Sequence, residues 1–358
     1  MPNQLAFTPD DSAMCWSGFG PASSVGLWCS ALPARAGKPP TAMLQGVSGT
    51  AGLSIARDGT LAYAVNTSDS DLWSVALASD GQASGEPVQV VRDTSRNTYP
   101  AFSSDGQRLT YVSWRPGTRF EAWLLNMRDG ATSLLSQGPD DESFPTWMPD
   151  NQTVVIAASN SNGRRVMRTS IETRQSQPVS GLPSDLSNVS LSPDGRELAY
   201  HVTNENGGLS PWVVPFAGGQ PRRLTPEDRS AGYPSWSRDG QRLALEVDHN
   251  GKTHVWIVNR DGTGLRQVTS GIGQHWPHSW APDSDRIAYA GQRDGVWNVW
   301  TVSAATGAMR QITRFTTQTG YVRYPAWSPL NDRIVFERST ETSKLWTGKL
   351  TSGASRNQ

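Results

Sequence analysis

The stretch YPSWSRDGQRLALEVDHNGKTHVWIVNRDGTGLRQVT, residues 233–269, spells out one structural unit. Its apolar opening, YPSW, runs into SRDG, whose Asp-Gly pair suits a tight reversal. QRLALEV then alternates as a half-buried strand does. The polar DHNGK turns the chain, HVWIVN makes a third strand, and RDGTG leads into a short charged fourth, LRQVT. Four antiparallel strands in about 45 residues match one β-propeller blade.

The turn signature recurs along the chain. It stands as FTPDD at 7–11, IARDG at 55–59, FSSDG at 102–106, WMPDN at 147–151, LSPDG at 191–195, WSRDG at 236–240, WAPDS at 280–284 and WSPLN at 327–331. Successive copies start 48, 47, 45, 44, 45, 44 and 47 residues apart. A period in the forties with several strands per repeat is a propeller signature. The expected fold is therefore all-β: one eight-bladed β-propeller of four-stranded antiparallel blades. Seven blades is the runner-up, should the irregular first unit, 7–44, not close as a blade. The expected domain spans 1–350, with blades starting near 5, 52, 99, 144, 188, 233, 277 and 324. Residues 351–358 are expected to form a tail or the outer strand of the last blade.

Tryptophan placement supports the phasing. Trp28, Trp73, Trp123, Trp212, Trp256, Trp300 and Trp346 fall 18–21 residues after the first residue of their own signature, and Met167 takes that place in the fourth copy. Trp147, Trp236, Trp280 and Trp327 open their signatures. Large aromatics at a repeat address are expected to pack one blade on the next.

Composition narrows the function classes. Lys+Arg and Asp+Glu balance at 32 each, so no basic surface argues for nucleic acid or anionic lipid. No apolar run reaches the ~18–20 residues that cross a bilayer, and no n-region and h-region open the chain. No GxSxG elbow, HExxH, Walker loop or GxGxxG opening a helix is present. Cys15 and Cys29 are too few for a disulfide scaffold. A hairpin centred on residue 22 sets them opposite each other, about 4.5–5.5 Å apart at Cβ against ~3.8 Å in a disulfide. Buried free thiols are the favoured expectation and a bond the alternative.

YPSWSRDGQRLAL (233–245) and RYPAWSPLNDRIVF (323–336) resemble the WD40-like repeat of the TolB propeller family. Similar repeats occur in Tol–Pal accessory proteins, peptidases of the tricorn and prolyl-oligopeptidase type, oligogalacturonate lyases, and sensor halves of bacterial regulators and kinases. The resemblance implies a periplasmic or other extracytoplasmic setting and a protein or peptide partner. The expected function is a non-catalytic binding or sensor propeller that recognises a protein, peptide or small polar ligand at its axial rim. The alternatives are a metal-dependent polysaccharide lyase, or the gating or regulatory propeller of a larger protein. A monomer is expected, with no nucleic-acid partner.

The candidate rim follows from the residues that precede the inner-strand signature. Tyr99, Phe144, Asn188, Tyr233, Trp276 and Tyr324, with Arg323 and Glu142 beside them, should point toward the axis. GQHWPHSW (273–280) adds His275 and His278 near the channel mouth. Lyases of similar architecture hold a divalent metal with histidines there, but two candidates fall short of a full ligand set. No metal or catalytic residue is assigned. The turn carboxylates Asp58, Asp105, Asp194, Asp239 and Asp283 stand in separate repeats, whereas calcium needs six to eight converging oxygens. They read as turn formers. A calcium-like cation in the channel, held by main-chain carbonyls, is compatible with the fold.

Overall fold

The computed structural model describes residues 4–19, 25–32, 39–45, 50–92, 96–115, 118–136, 138–249 and 251–349, and these contain strands and turns but no helix. The chain divides into two compact units, residues 69–340 and residues 1–68 with 341–358. Two strands of 17 residues, Thr60–Ala76 and Arg333–Lys349, contribute to both.

In the larger unit the described strands form four separate four-stranded antiparallel sheets and one nine-stranded sheet, in which a parallel bridge from Ser70 to Arg96 joins the strands of two further blades. Blade 1 is Arg96–Phe102, Arg108–Trp114, Phe120–Asn126 and Thr132–Leu134. Blade 2 is Asp141–Trp147, Thr153–Asn160, Gly163–Ser170 and Ser176–Pro178. Blade 3 is Ser187–Leu191, Glu197–Thr203, Leu209–Pro215 and Arg222–Arg223. Blade 4 is Ala231–Trp236, Arg242–His249, Lys252–Asn259 and Arg266–Gln267. Blade 5 is His275–Trp280, Arg286–Arg293, Val296–Ser303 and Met309–Gln311. Blade 6 draws on both ends of the unit: Val322–Trp327 and Arg333–Lys349 are its inner strands, Thr60–Ala76 and Val88–Gln89 its outer ones. Each inner strand touches the next, and that of blade 6 touches that of blade 1, so the ring closes at six.

This corrects the expected count of eight, and the runner-up of seven. The strands of the second repeat do not make a blade of their own. The later part of Thr60–Ala76, with Trp73 opposite Gln89, fills the outer edge of blade 6 instead. An open strand edge is completed by whatever chain lies beside it in space. The tail 351–358, expected as a possible outer strand, lies outside the described residues; that edge is already occupied by residues 69–89.

The signature does its expected work. Asp105, Asp194 and Asp239 each accept the backbone N–H two residues on and the hydroxyl two residues back, from Ser103, Ser192 and Ser237. That is an Asx turn, and it accounts for these carboxylates without calcium. The fifth signature position sits at positive φ in every described blade of the larger ring. Gly106, Gly195 and Gly240 lie at φ 69°, 72° and 68°, while Asn151, Ser284 and Asn331 hold φ 53°, 57° and 58°. The three side chains compensate by latching onto a neighbour. Asn151 Oδ1 accepts from Ser104 N at 2.7 Å, Ser284 Oγ from Asp239 N at 3.0 Å, and Asn331 Oδ1 from Trp327 Nε1 at 3.0 Å.

Three signature tryptophans stitch blade to blade. Trp147 Nε1 donates to Ala101 O at 3.0 Å, Trp236 Nε1 to Ser190 O at 3.2 Å, and Trp280 Nε1 to Ser235 O at 3.0 Å. Each bond runs to the inner strand of the preceding blade. The third-strand tryptophans are capped by cations instead: Arg115 lies 4.3 Å over Trp123, Arg229 4.8 Å over Trp256 and Arg293 3.7 Å over Trp300.

In the smaller unit, Gln4–Phe7, Ala13–Phe19, Val25–Ala31 and Thr41–Gln45 form one antiparallel sheet. Thr50–Ile55 pairs with the start of Thr60–Ala76. Leu27, Leu53 and Leu61 pack with Cys15 in its core. Cys15 and Cys29 lie directly opposite, as the hairpin centre required, and they are bonded, with 4.0 Å between their Cα atoms. The favoured expectation of free thiols is thereby corrected. The opposed positions sit closer than an average strand pair, which brings both sulfurs within bonding reach.

Candidate functional site

Five of the six inner strands carry a non-glycine residue in the left-handed region. These are Tyr99, Phe144, Asn188, Tyr233 and Tyr324, at φ 53°, 50°, 51°, 52° and 50°. Each lies in a bulge, where the strand register slips between Thr98 and Ala101, Ser143 and Thr146, Ser187 and Ser190, Gly232 and Ser235, or Arg323 and Ala326. Blade 5 has Pro277 at this place, whose ring forbids positive φ. Left-handed backbone costs an aromatic residue about 1–3 kcal/mol. The strain recurs at one position of the repeat, and in three blades the side chain there joins a single aromatic cluster.

The turned side chains meet. Tyr99 lies 4.2 Å from Phe144 and 4.5 Å from Tyr324 between ring centroids, and Phe144 meets Tyr324 edge-on at 6.3 Å. Burial pushes the phenols of Tyr99 and Tyr324 upward, so both stay neutral. The three rings form an aromatic plug inside the ring of blades.

On the signature-turn side of the plug lies a cavity of about 400 Å³ lined by all six blades. Tyr99, Phe144 and Asn188 are at its floor, and Thr146, Ser190, Ser235 and Ser279 belong to its lining, Ser279 Oγ donating to Pro325 O at 2.7 Å. Seven of the lining residues are proline, which contributes no N–H. The third signature position forms the outer ring, as Ser104, Pro149, Pro193, Arg238, Pro282 and Pro329. Arg238 alone carries charge there.

The other side of the plug is charged. Arg323 stands 5.0 Å over Trp276 and 4.5 Å over Tyr321. Glu337, fully buried, accepts from Thr98 Oγ1 at 2.6 Å and Tyr321 Oη at 3.0 Å, with Arg96 Nε at 3.6 Å. Glu246, opposite Gly232, is pushed up to about 8, chiefly by burial, against the attraction of Arg323 and with added repulsion from Asp248. The folded protein thus holds a proton that the unfolded chain releases above the ordinary carboxyl range. Stability should fall as pH rises from about 4.5 toward 8. Glu246→Gln is expected to flatten this slope, melting above the parent protein at pH 9 and close to it at pH 4. Parallel thermal melts across that range check this, and an unchanged slope would refute it.

The sequence-based site is thus partly assembled. Tyr99, Phe144 and Asn188 line the cavity, and Tyr324 backs them. Tyr233 turns to His201 instead, its N–H donating to Nδ1 at 3.1 Å with the rings 4.9 Å apart. Trp276 stacks on Trp297 at 4.1 Å, beneath Arg323. His275 is not at the channel mouth. It is fully buried, 3.3 Å from His254 and 3.0 Å from Thr269 Oγ1. The side chain of His278 lies outside the described residues. Sequence reasoning missed Arg238, Glu246 and Glu337. For Arg238 a signal existed, a cation at a position held by Pro or Ser in every other copy except the second, where Arg57 stands.

Comparison with known proteins agrees with this architecture. Residues 185–357 match the family model described as the TolB beta propeller domain. A putative TolB from Agrobacterium tumefaciens is similar in structure, with TM-score 0.61 and 16% identity over 76% of this chain and 99% of that one. TolB from Acinetobacter baumannii is similar with TM-score 0.58 and 17% identity, over 92% of this chain and 88% of that one. In sequence, the uncharacterized peptidase YuxL of Bacillus subtilis is 27% identical over 166 residues, which is 46% of this chain. The matched segment spans 24% of that peptidase's own length. The chain therefore carries TolB-like propeller repeats, and at these identities the structural likeness speaks to fold.

Proposed function

We propose that this protein is a non-catalytic binding propeller whose axial cavity receives a peptide, a protein segment or a small polar ligand. One observation carries the reading: all six inner strands contribute to a single cavity floored by aromatic rings held in strained backbone. Strain of this kind persists where the surroundings over-determine it, and it gathers at ligand clamps. The lining offers hydroxyls, apolar rings and a guanidinium, a set that grips rather than transfers protons. The resemblance to TolB-type repeats supports a protein or peptide as the partner. The disulfide between Cys15 and Cys29 fits an oxidising compartment. A second reading, the propeller portion of a longer peptidase, is favoured by the peptidase match alone.

Selecting a displayed random-peptide library on the immobilised protein tests the proposal. Ser190→Trp places an indole in the cavity from a half-buried wall position. Selected peptides are expected to lose binding to this variant while its melting temperature stays within a few degrees. Peptides that bind parent and variant alike would place recognition elsewhere.

A further inference from the structure

The cavity on the signature-turn side contains donors without matching anions. Arg238 reaches from blade 4 to Trp327 O in blade 6, with Nη2 to oxygen at 3.0 Å. It thus extends past blade 5 and lines the cavity. A guanidinium has five N–H donors, and among the described residues no carboxylate pairs with this one. The lining includes no Asp, Glu, His or Lys. Burial alone pulls the Arg238 guanidinium below its ordinary value, so its charge is held at a desolvation cost. A second donor in the same lining is also unmatched. Asn188 is 4% exposed, and its amide nitrogen has no hydrogen-bond partner among the described residues.

Other arginines beside the signature turns differ in their partners. Arg260 pairs with Asp194 and Glu197 and Arg286 with Asp283, whereas Arg108 and Arg242 donate to the main-chain oxygens of Asn151 and Ser284 and, unlike Arg238, do not line the cavity. Charges withdrawn from water are ordinarily paired, and a guanidinium without a carboxylate partner that shares its cavity lining with an orphan amide donor offers half of an anion site. The remaining surfaces of the cavity are prolines, aromatic rings and serines, which suit an apolar body.

Resting on the binding reading above, we propose that the cavity selects a ligand with a single carboxylate on a small apolar body. Arg238 receives the carboxylate, Asn188 donates a further hydrogen bond, and the aromatic floor takes the apolar part. A peptide C-terminus and a free organic acid share this chemistry.

Trp147, Trp236, Trp280 and Trp327 line the cavity, so quenching of intrinsic fluorescence, backed by calorimetry, reads occupancy. The probes are N-acetyl-Leu-Phe with a free carboxylate, its C-terminal amide, and 3-phenylpropionate. The acid is expected to bind about tenfold or more tightly than the amide, the worth of a charge-assisted hydrogen bond. Arg238→Gln keeps a polar amide in the lining and removes the charge, so it should equalise acid and amide. Arg238→Lys should restore part of the preference. Ser190→Trp should abolish all binding. Tighter binding of the dipeptide acid than of 3-phenylpropionate identifies a peptide terminus as the source, and the reverse identifies an organic acid. Equal binding of acid and amide to the parent protein would overturn the carboxylate proposal and leave the cavity reading standing. A preference that survives Arg238→Gln would also overturn it. Failure of all three probes to bind would overturn the proposal, while peptides from the displayed library that are blocked by Ser190→Trp would still uphold the cavity.

Discussion

Trp280→Ala is expected to lower the free energy of unfolding by about 3–5 kcal/mol, the usual cost of truncating a buried large aromatic. The side chain is 1% exposed and sits in a core built from blades 4 and 5, with Val255 and Ile257 on one side and Ile287 and Tyr289 on the other. Truncation opens a cavity between two blades and leaves Ser235 O without its indole donor. Arg242, 5.3 Å from the ring centre, loses its aromatic partner as well. Trp276→Ala makes the contrast. That ring is half-buried and stacks chiefly on Trp297, so its loss should cost about 1 kcal/mol. Urea unfolding of both variants decides the matter, and comparable losses would show that position in the signature has no bearing on inter-blade packing.

Glu337→Ala should cost as much, about 3–5 kcal/mol, for an electrostatic reason. Glu337 belongs to blade 6, yet Thr98 and Arg96 belong to the inner strand of blade 1. The carboxylate therefore spans the seam where the ring closes. Removing one member of a buried charged cluster leaves the others desolvated and unpaired. Thr98 is 1% exposed and would lose the acceptor it now has at 2.6 Å. Glu337→Gln keeps acceptor geometry and should cost less, about 1–2 kcal/mol. If Glu337→Ala unfolds within 1 kcal/mol of the parent protein, the seam is held by packing alone.

The aromatic plug was legible in part because Tyr-Pro and Phe-Pro recur at one phase of the repeat: Tyr99, Phe144 and Tyr324 meet, whereas Tyr233 at the same phase turns to His201. His275 was misplaced by the same logic. Alignment gives its position along the strand, but strand alternation sends it away from the axis to His254 and Thr269. Arg238 escaped because a lone arginine in a polar turn looks solvated until its reach to Trp327 O is seen. Glu246 and Glu337 escaped for a related reason. Alternating strands often carry an outward acid, and only the other blades of the closed ring show whether that acid meets water or a cation such as Arg323 or Arg96.

What the sequence determined by itself is everything that lies within one repeat. Turn carboxylates, strand boundaries, the stitching tryptophans and the opposition of Cys15 to Cys29 all depend on residues a few positions apart or on the repeat period. The number of blades in the ring is of another kind. Each blade meets only its neighbours, so the local interfaces are alike whether six, seven or eight copies stand in line. Closure depends on the small rotation accumulated from blade to blade. Here six blades complete the turn, and the open edge of the sixth is filled by residues 69–89 rather than by the chain that follows it. Closure also creates the seam at Glu337, the aromatic plug and the cavity beneath Arg238, because each joins side chains from blades far apart in sequence.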